Sequence, residues 1–307
     1  ALVGPMYFLL IGCELWASRK RKVSLYRIND SINDMSTGIL MQLGLMLGVS
    51  ATVAGYYFIA EHARILDLES TNPLVWVCCF LAVDLAYYWF HRLSHEINFL
   101  WAAHVVHHQS EEYNLSVALR QSALQPYFGS VFYWPLALIG FPIEVFLVCS
   151  SVGTIYQFWL HTQLINRLGA LEAVLVTPSH HRVHHGRNPI YIDRNHGGTF
   201  IIWDKLFGTF QAEEEKVVYG ITKPLESWNP IWANLHYWAD LIQISRQTNS
   251  LPDKIRVFVK IPGWLPNDLS GQQFPQPIEN VIKFNPDYPK QIDFYAIIQF
   301  ILLTAMT

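Results

Sequence analysis

The feature that most constrains this chain is the segment from Thr37 to Ala60, which contains no charged residue. A helix of about 20 predominantly apolar residues crosses the hydrocarbon core of a bilayer, so this segment is long enough to do so. Four further runs are predominantly apolar, although the second of them carries one acid, Asp84: Leu2 to Trp16, Pro73 to Phe90, Pro126 to Trp159, and Phe294 to Thr307. A soluble helical core could produce one such run but hardly five, and the pattern therefore predicts an all-α, polytopic integral-membrane helix bundle.

The run from Pro126 to Trp159 is long enough for two crossings. Gly140, Phe141 and Pro142 interrupt it, and glycine next to proline is typical of a tight turn. We therefore expect a helical hairpin that leaves one side of the membrane and returns to it.

The composition agrees with a membrane protein and excludes other classes. Hydrophobic residues make up 51% of the 307 residues and charged residues only 15%, against about 25% charged in a typical soluble domain. The net charge of −3 gives no basic field that would attract nucleic acid. All four cysteines lie in apolar runs without zinc-like or disulfide-like spacing, which predicts reduced packing residues.

The same pattern divides the chain into three parts. Residues 1–250 form one membrane-embedded domain, and residues 251–290, which are rich in Pro, Asn, Asp and Gln, form an irregular cytosolic linker. Residues 291–307 form a last membrane helix. Because the first residue is Ala1 and not methionine, we expect that the chain has been processed or trimmed.

Basic residues in short loops predict how the bundle lies in the membrane, because such loops stay on the cytosolic side. Five of them, Arg19, Lys20, Arg21, Lys22 and Arg27, follow the first run, whereas the loop after the second run holds only Arg64. The first loop is therefore expected to be cytosolic. Every histidine-rich stretch then falls on the cytosolic side.

The histidines are clustered and patterned. Ten of the thirteen lie between residues 91 and 185, in the sequences HRLSH, HVVHH and HHRVHH and at His161. Residues three and four positions apart share one face of a helix, so each cluster can direct two or three imidazoles to one point. Such a pattern indicates a metal site much more strongly than it indicates buried histidines without metal.

The number and type of these side chains restrict the metal. One tetrahedral zinc takes about four ligands, whereas eight or nine clustered histidines suit two metals with open positions. Imidazole suits iron, zinc, copper and nickel, and acids and thiolates are scarce among the clusters. Two irons at the end of a membrane bundle suggest oxygen chemistry on a lipid. A membrane metal transporter is the alternative of another class, although transporters tend to place their ligands near the bilayer midplane.

The boxes HxxxH, HxxHH and HxxHH, arranged in this order around a membrane hairpin, resemble the fatty acid hydroxylase/sterol desaturase superfamily of membrane di-iron enzymes. The stretches YYWFHRLSHE, HHQSEEYNLSVALRQS, YQFWLHT, TPSHHRVHHGRN and IIWDKLFGTF are similar to its alkylglycerol monooxygenase branch. The dense part of the resemblance covers Asp84 to Thr222. It implies a cytosolic di-iron site.

The resemblance also implies which histidines bind the two irons. The set is His91, His95, His104, His107, His108, His161, His181, His184 and His185. The superfamily often has a further histidine four residues before the position of His161, where this chain has Gln157. His180 is expected to be an outer partner, and His62, His196 and His236 are expected not to bind metal.

The activity that the resemblance implies is the oxidative cleavage of glyceryl ethers. O2-dependent hydroxylation of the carbon next to the ether oxygen would give a hemiacetal, which collapses to a fatty aldehyde and glycerol or a lysolipid. Tetrahydrobiopterin would supply the electrons, and the enzyme would be a multi-pass protein of the endoplasmic reticulum membrane. The alternative within enzymes is a sterol or fatty-acyl hydroxylase or desaturase that takes electrons from cytochrome b5.

Two acids beside the boxes are candidate functional residues. Asp84 lies two turns before His91, and an acid at membrane depth is costly and usually has a partner. It could accept an imidazole N–H and fix the tautomer of a ligand, or it could make a polar contact between helices. Glu96 directly follows His95, and the resemblance implies that it handles the pterin, although a solvated helix end is equally compatible with the sequence. Asn114 and Arg120 could organise the site or serve packing.

Overall fold

The computed structural model describes residues 3–270, 283–289 and 291–306, and these are all-helical apart from an isolated bridge between Leu175 and Phe200. The α-helices, in chain order, are α1 (Val3–Lys20), α2 (Ile28–His62), α3 (Pro73–Glu96), α4 (Asn98–His108), α5 (Gln125–Gly129), α6 (Trp134–Ile139), α7 (Ile143–Phe158), α8 (Pro178–His184), α9 (Ile202–Phe207), α10 (Pro230–Gln247), α11 (Leu251–Val259) and α12 (Gln291–Met306). The predicted all-α class is confirmed for the described residues.

Helix α3 is the central element of the apolar core. It begins where the side chain of Asn72 accepts a hydrogen bond from the main-chain N–H of Leu74, with proline at the first helical position. It packs against α7 and α4. Cys79 of α3 is fully buried in a cluster to which α2 contributes Tyr56 and α7 contributes Val145. The polar end of α3 is thereby fixed beside α4, and the two helices together carry five of the predicted ligands.

Helix α3 is also, among the described residues, the one helix that is long and apolar enough to cross a membrane by length and composition. Helix α7 and the first part of α12, Gln291–Leu302, are apolar but shorter. Large apolar side chains are exposed on several helices, for example Leu9 on α1, Leu74 on α3 and Phe294 on α12. Multi-pass insertion stays a prediction, which these exposed apolar faces support.

The predicted hairpin is present, but its first arm is broken. Gly140 ends α6 with a φ of +112° and α7 begins at Ile143, so the turn lies where the sequence indicated. The first arm consists of the short helices α5 and α6 with a 3-10 turn between them. Pro126 and Pro135 stand in the first turns of α5 and α6 and interrupt a continuous helix. This arm is therefore not one continuous helix, and the two crossings stay a prediction.

The expected irregular linker is helical in its first part. Residues Leu251–Val259 form α11, with proline in the first turn. Val257 is fully buried against Leu241 of α10 and Ala102 of α4. Proline and polar residues indicated a loop, but Pro252 occupies a position at which a helix tolerates it and the apolar face of α11 packs onto the domain. Residues 271–282, also assigned to the linker, lie outside the described residues.

The cysteines differ in their surroundings. Cys79 and Cys149 are buried, as expected for packing residues, and neither forms a disulfide. Cys13 and Cys78 are exposed thiols on α1 and α3. The packing role predicted for all four therefore holds for two, because the outer faces of these apolar helices have no protein partner at those positions.

Candidate metal centre

The structure brings all nine predicted histidines together in two buried groups. The first group contains His91, His95, His104, His108 and His184, and the second contains His107, His161, His181 and His185. Within each group the candidate ligand atoms lie within 4.8 Å of one another. The ligand assignment itself remains a proposal.

Four elements supply these rings. His91 and His95 lie on the last turns of α3, His104, His107 and His108 on α4, His161 three residues after α7 ends, and His181, His184 and His185 on α8 and its end. Helix α4 contributes to both groups, because its ring positions three and four residues apart point in neighbouring directions. Helix α8 does the same. The two groups therefore share helices and lie side by side.

Inter-ring distances fit imidazoles that converge on one ion in each group. The Nε2 atoms of His91 and His104 are 3.1 Å apart, and those of His104 and His108 are 3.2 Å apart. In the second group the corresponding distances are 3.2 Å between His107 and His161 and 3.0 Å between His161 and His181. Two nitrogen ligands at right angles around a metal, each about 2.1 Å from it, would lie about 3 Å apart.

Hydrogen bonds on the far sides of the rings show that these close nitrogens carry lone pairs. In the first group, His91 Nδ1 donates to the carbonyl of His196 at 2.8 Å and His104 Nδ1 donates to the Gln125 side-chain oxygen at 3.0 Å. A neutral imidazole has one N–H, so the Nε2 atoms of both rings lack a hydrogen. Two lone pairs 3.1 Å apart repel each other unless a cation lies between them.

The second group repeats this arrangement. His107 Nδ1 donates to the carbonyl of Arg120 at 2.9 Å, and His161 Nδ1 donates to the carbonyl of Gln157 at 3.1 Å. Their Nε2 atoms are again 3.2 Å apart and both carry lone pairs. The residues present therefore fit one cation in each group. Gln157 stands where the superfamily often has a histidine, and here its main-chain carbonyl accepts the hydrogen bond from His161.

Further ring nitrogens in the groups are buried and have no hydrogen-bond partner among the described residues. They are Nε2 of His95, His184 and His185. Burying polar atoms without partners is costly, and a metal ion would satisfy them. His184 Nδ1 donates to the carbonyl of Arg194 at 3.0 Å, so its unpartnered Nε2 is also a lone pair.

Burial keeps these imidazoles neutral, as a metal ligand must be. Removal from water lowers the pKa of His104 to about 4 and the pKa of His161 to about 4. The lone pairs are therefore available at neutral pH. All members of both groups are imidazoles, without thiolates or carboxylates, and this ligand type suits iron as well as zinc, copper and nickel.

Asp84 does not contact an imidazole. Its carboxylate accepts hydrogen bonds from the main-chain N–H groups of Thr199 and Phe200 at 2.8 and 3.0 Å and from the Trp203 indole at 2.9 Å. The expectation that it fixes the tautomer of a ligand was wrong, since the loop before α9 takes up its oxygens. Its effect on the site is indirect, because the same loop carries the His196 carbonyl that accepts from His91.

A second buried acid, Asp204, holds the same loop and was not identified from the sequence. It accepts from the main-chain N–H groups of His196 and Gly197 at 2.7 and 2.8 Å. The signal was its place inside the stretch IIWDKLFGTF, one of those that carry the resemblance. His196 itself is fully buried but lies outside both groups, as expected.

Glu96 lies at the end of α3 and pairs with Arg92 at 2.8 Å. Its side chain is 36% exposed, and it contacts none of the nine histidines in the hydrogen bonds of the described residues. The predicted part in cofactor binding stays a prediction. His180, which could be an outer partner of the metal, accepts from the main-chain N–H of Thr177 at 3.4 Å and caps α8.

Arg120 is a positioning residue of the second group. Its main-chain carbonyl accepts from His107, and its fully buried guanidinium donates to the Val106 carbonyl at 2.7 Å and to Gln109 at 2.6 Å. It also pairs with Asp34 of α2 at 3.1 Å. Of the two roles that the sequence left open for Arg120, the geometry supports the organising one. Asp34 was missed, although an acid close to a charge-free run is a signal for such a partner.

Two separate cavities border the imidazoles and share no lining residue. Cavity A has a volume of about 260 Å³ and is bordered by His95, His108, His184 and His185, with charged side chains also in its wall. Cavity B has a volume of about 680 Å³ and is bordered by His104, His107, His161 and His181. The rest of its wall, contributed mainly by α1, α2 and α7, contains no charged residue. Each cavity therefore reaches both groups.

Comparison with known proteins agrees with this geometry. The fatty acid hydroxylase family model matches residues 76–209, the segment that holds all nine histidines. The chain is 41% identical over 303 residues to alkylglycerol monooxygenase from Xenopus tropicalis, a match that covers 98% of this chain and 68% of that protein. The chain belongs to the alkylglycerol monooxygenase family. The resemblance inferred from the histidine boxes is confirmed.

Other alkylglycerol monooxygenases give similar matches. The human protein is 43% identical over 91% of this chain, and the Caenorhabditis elegans protein is 35% identical over 92%. The chain spans 63% and 60% of the lengths of these two relatives. No solved structure gives a significant match.

Proposed function

We propose that this chain is a membrane di-iron monooxygenase that cleaves the ether bond of glyceryl ethers. The observation that carries the proposal is the convergence of nine imidazoles, in groups of five and four, between a cavity with charged walls and a larger cavity without charges. Membership of the alkylglycerol monooxygenase family supports the substrate class.

The five-membered group would hold one iron and the four-membered group the other. When bound, the irons would supply O2 activation, and tetrahydrobiopterin would supply the two electrons that reduce the second oxygen atom to water. One oxygen atom enters the C–H bond next to the ether oxygen. The resulting hemiacetal breaks into a fatty aldehyde and glycerol or a lysolipid.

Cavity B suits the lipid. Its wall combines apolar side chains such as Phe8, Ile39 and Phe158 with the neutral amides of Gln121 and Gln125 beside the histidines. An alkyl chain gains free energy by leaving water for such a surface, and the amides can hydrogen-bond an ether oxygen or hydroxyl groups. The protein thereby orients the carbon next to the ether oxygen at the imidazoles and excludes water from it.

Insertion in the endoplasmic reticulum membrane with a cytosolic active site is part of the proposal. Exposed apolar side chains on α1, α3, α7 and α12 support contact with lipid. The substrate would then enter cavity B from the bilayer, and the soluble reductant would reach the imidazoles from the cytosol. Glu96, at the end of α3, is proposed to take part in binding that reductant.

The test is turnover of a defined lipid by the purified, iron-loaded protein. With 1-O-alkylglycerol, 18O2 and tetrahydrobiopterin, we expect a fatty aldehyde labelled with 18O and unlabelled glycerol, because the ether oxygen stays on the glycerol. A monoacylglycerol of equal chain length is the matched control and should give no aldehyde, since its carbon next to oxygen has no hydrogen.

Two results would contradict the proposal. Aldehyde formation that requires cytochrome b5 and its reductase, and not the pterin, would favour the cytochrome-dependent lipid hydroxylase. Iron binding without O2 consumption on any ether lipid would favour a metal transporter.

A further inference from the structure

The guanidinium of Arg187 is a buried cation with two unused donors. The residue is only 3% exposed and lies two positions after His185. Its Nη1 atom donates to the carbonyl of Ile221 at 2.7 Å. Its Nε and Nη2 atoms are buried and have no hydrogen-bond partner among the described residues. No carboxylate in the described part of the chain forms an ion pair with it at the distance of a salt bridge.

Such an arrangement is costly unless a ligand completes it. A buried charged donor that lacks an acceptor loses its hydration without compensation. Nε–H and the neighbouring Nη2–H form the planar fork that recognises two adjacent acceptor atoms. Arg187 lines cavity A, so the acceptors that the fork requires would be those of a molecule in that cavity.

The remaining wall of cavity A restricts the shape and polarity of this molecule. Trp101 and Trp264 contribute aromatic surfaces, which suit a flat ring system. Asp193 and Asp240 also line the cavity; Asp193 lies 3.5 Å from His95 Nδ1 and Asp240 pairs with Lys223 at 2.8 Å. Each carboxylate has a second oxygen that can accept an N–H group. A ligand with adjacent acceptor atoms and with N–H donors would satisfy both kinds of side chain. Four of the nine histidines border the same cavity, so the ligand would lie beside both groups.

We propose that cavity A binds the heterocycle of the reductant and that Arg187 donates its Nε–H and Nη2–H to a ring carbonyl oxygen and to the lone pair of the nitrogen on the neighbouring ring that faces the same side. This inference rests on the proposed function, under which the reductant is tetrahydrobiopterin, whose C4 carbonyl and N5 atoms form such a pair. Arg187 is then the residue that fixes the edge of the heterocycle relative to the imidazoles.

The test measures pterin binding and metal content separately. Iron-loaded protein is titrated without O2 with tetrahydrobiopterin, and binding is followed by quenching of tryptophan fluorescence. Arg187→Gln and Arg187→Lys are compared with the wild type and with Arg256→Gln, which removes an exposed arginine of α11. The lysine variant keeps the charge and loses the fork, so it remains informative if the glutamine variant folds poorly.

We expect Kd for tetrahydrobiopterin to rise about 10- to 100-fold in both Arg187 variants, as for the loss of hydrogen bonds from a charged donor. Iron content should stay at the wild-type value, and Arg256→Gln should leave Kd unchanged. The 4-amino analogue, which carries a donor in place of the carbonyl oxygen, should bind the wild type more weakly than tetrahydrobiopterin does. The affinity of Arg187→Gln for this analogue should be close to that of the wild type, because the analogue does not use the fork.

Three results would overturn the inference. The first is unchanged pterin affinity in both Arg187 variants, and the second is equal affinity of the wild type for tetrahydrobiopterin and its 4-amino analogue. The third is binding of inorganic phosphate that depends on Arg187 while pterin binding does not. The last result would assign the fork to an oxyanion. Failure of the proposed function is distinguishable. Arg187-dependent pterin binding without ether cleavage would leave this inference standing, whereas ether cleavage by a protein that binds no pterin would refute the inference alone.

Discussion

At the scale of single residues, main-chain carbonyl oxygens hold the outer nitrogens of several histidine rings. His91, His107, His161 and His184 each donate Nδ1–H to a carbonyl, at 2.8 to 3.1 Å. A carbonyl oxygen can only accept, so it leaves no choice of tautomer. Each Nε2 is thereby prepared for a cation before the cation arrives.

Removing one ring from the second group should release metal. We expect His107→Ala and His185→Ala to lose at least one of about two irons per chain and to abolish turnover, because an open site loses affinity with each ligand. His62→Ala is the control, since His62 is exposed and stacks only on Phe58. Metal content by mass spectrometry is the measurement, and full iron loading in both ligand variants would refute the assignment.

Asp84 should matter for stability more directly than for metal affinity. Asp84→Asn replaces one of the carboxylate oxygens that accept from Thr199, Phe200 and Trp203 with an N–H donor. We expect the free energy of unfolding to fall by about 1.5–3 kcal/mol, the usual effect of losing a hydrogen bond to a charged group. Thermal unfolding in detergent checks this. Asp67→Asn is the control, because Asp67 is exposed and forms a surface ion pair with Arg64. An unchanged Tm would show that the loop does not depend on Asp84.

At the scale of helices and turns, the sequence predicted most where its pattern was local. The spacing of His104, His107 and His108 follows from helix geometry, and the turn at Gly140 follows from its neighbours. The partners of Asp84 could not be predicted, because they lie more than a hundred residues later in a loop without periodicity. Two prolines had effects opposite to those expected. Pro135 breaks a run that was expected to be continuous, whereas Pro252 lies in the first turn of a helix where a loop was expected.

The turn at Gly140 should tolerate no other residue. Its φ is +112°, and a Cβ there would lie 1.9 Å from the carbonyl oxygen of Leu66. We expect Gly140→Ala to destabilise the protein by about 1–3 kcal/mol or more, the cost of a strained backbone position. Gly12→Ala is the control, because the same change in α1 meets no atom within 4 Å. Equal Tm values for the two variants would show that the turn can relax.

At the scale of the whole molecule, the orientation in the membrane is open to a direct test. Basic residues after α1 predict that the loop before α3 is lumenal and that the segment after α11 is cytosolic. Ser70→Cys and Ser270→Cys are therefore matched reporters, in a background where the exposed Cys13 and Cys78 are replaced. In sealed microsomes, an impermeant thiol reagent should label position 270 and not position 70. Labelling of position 70 and not of position 270 would show that the orientation is the reverse of the predicted one.

The fold and most of the centre could thus be anticipated, but its surroundings could not. Helical spacing indicated the rings of the three boxes, and the resemblance added His161, which no spacing pattern includes. Arg187 gave no signal, because its proposed role rests on two donor atoms that have no partner among the described residues. The separation into cavities A and B depends on contacts between distant segments, which spacing does not encode.

The two cavities have a kinetic consequence, because neither shares a lining residue with the other. With the lipid in cavity B and the reductant in cavity A, as proposed, neither ligand would occupy the site of the other, so the two substrates should add in either order. Initial rates measured while both concentrations vary should give intersecting reciprocal plots, and an uncleavable ether analogue should compete with the lipid but not with the reductant. Parallel plots would contradict this. The cell could then vary its supply of reductant and of ether lipid independently, and the rate of cleavage would respond to each.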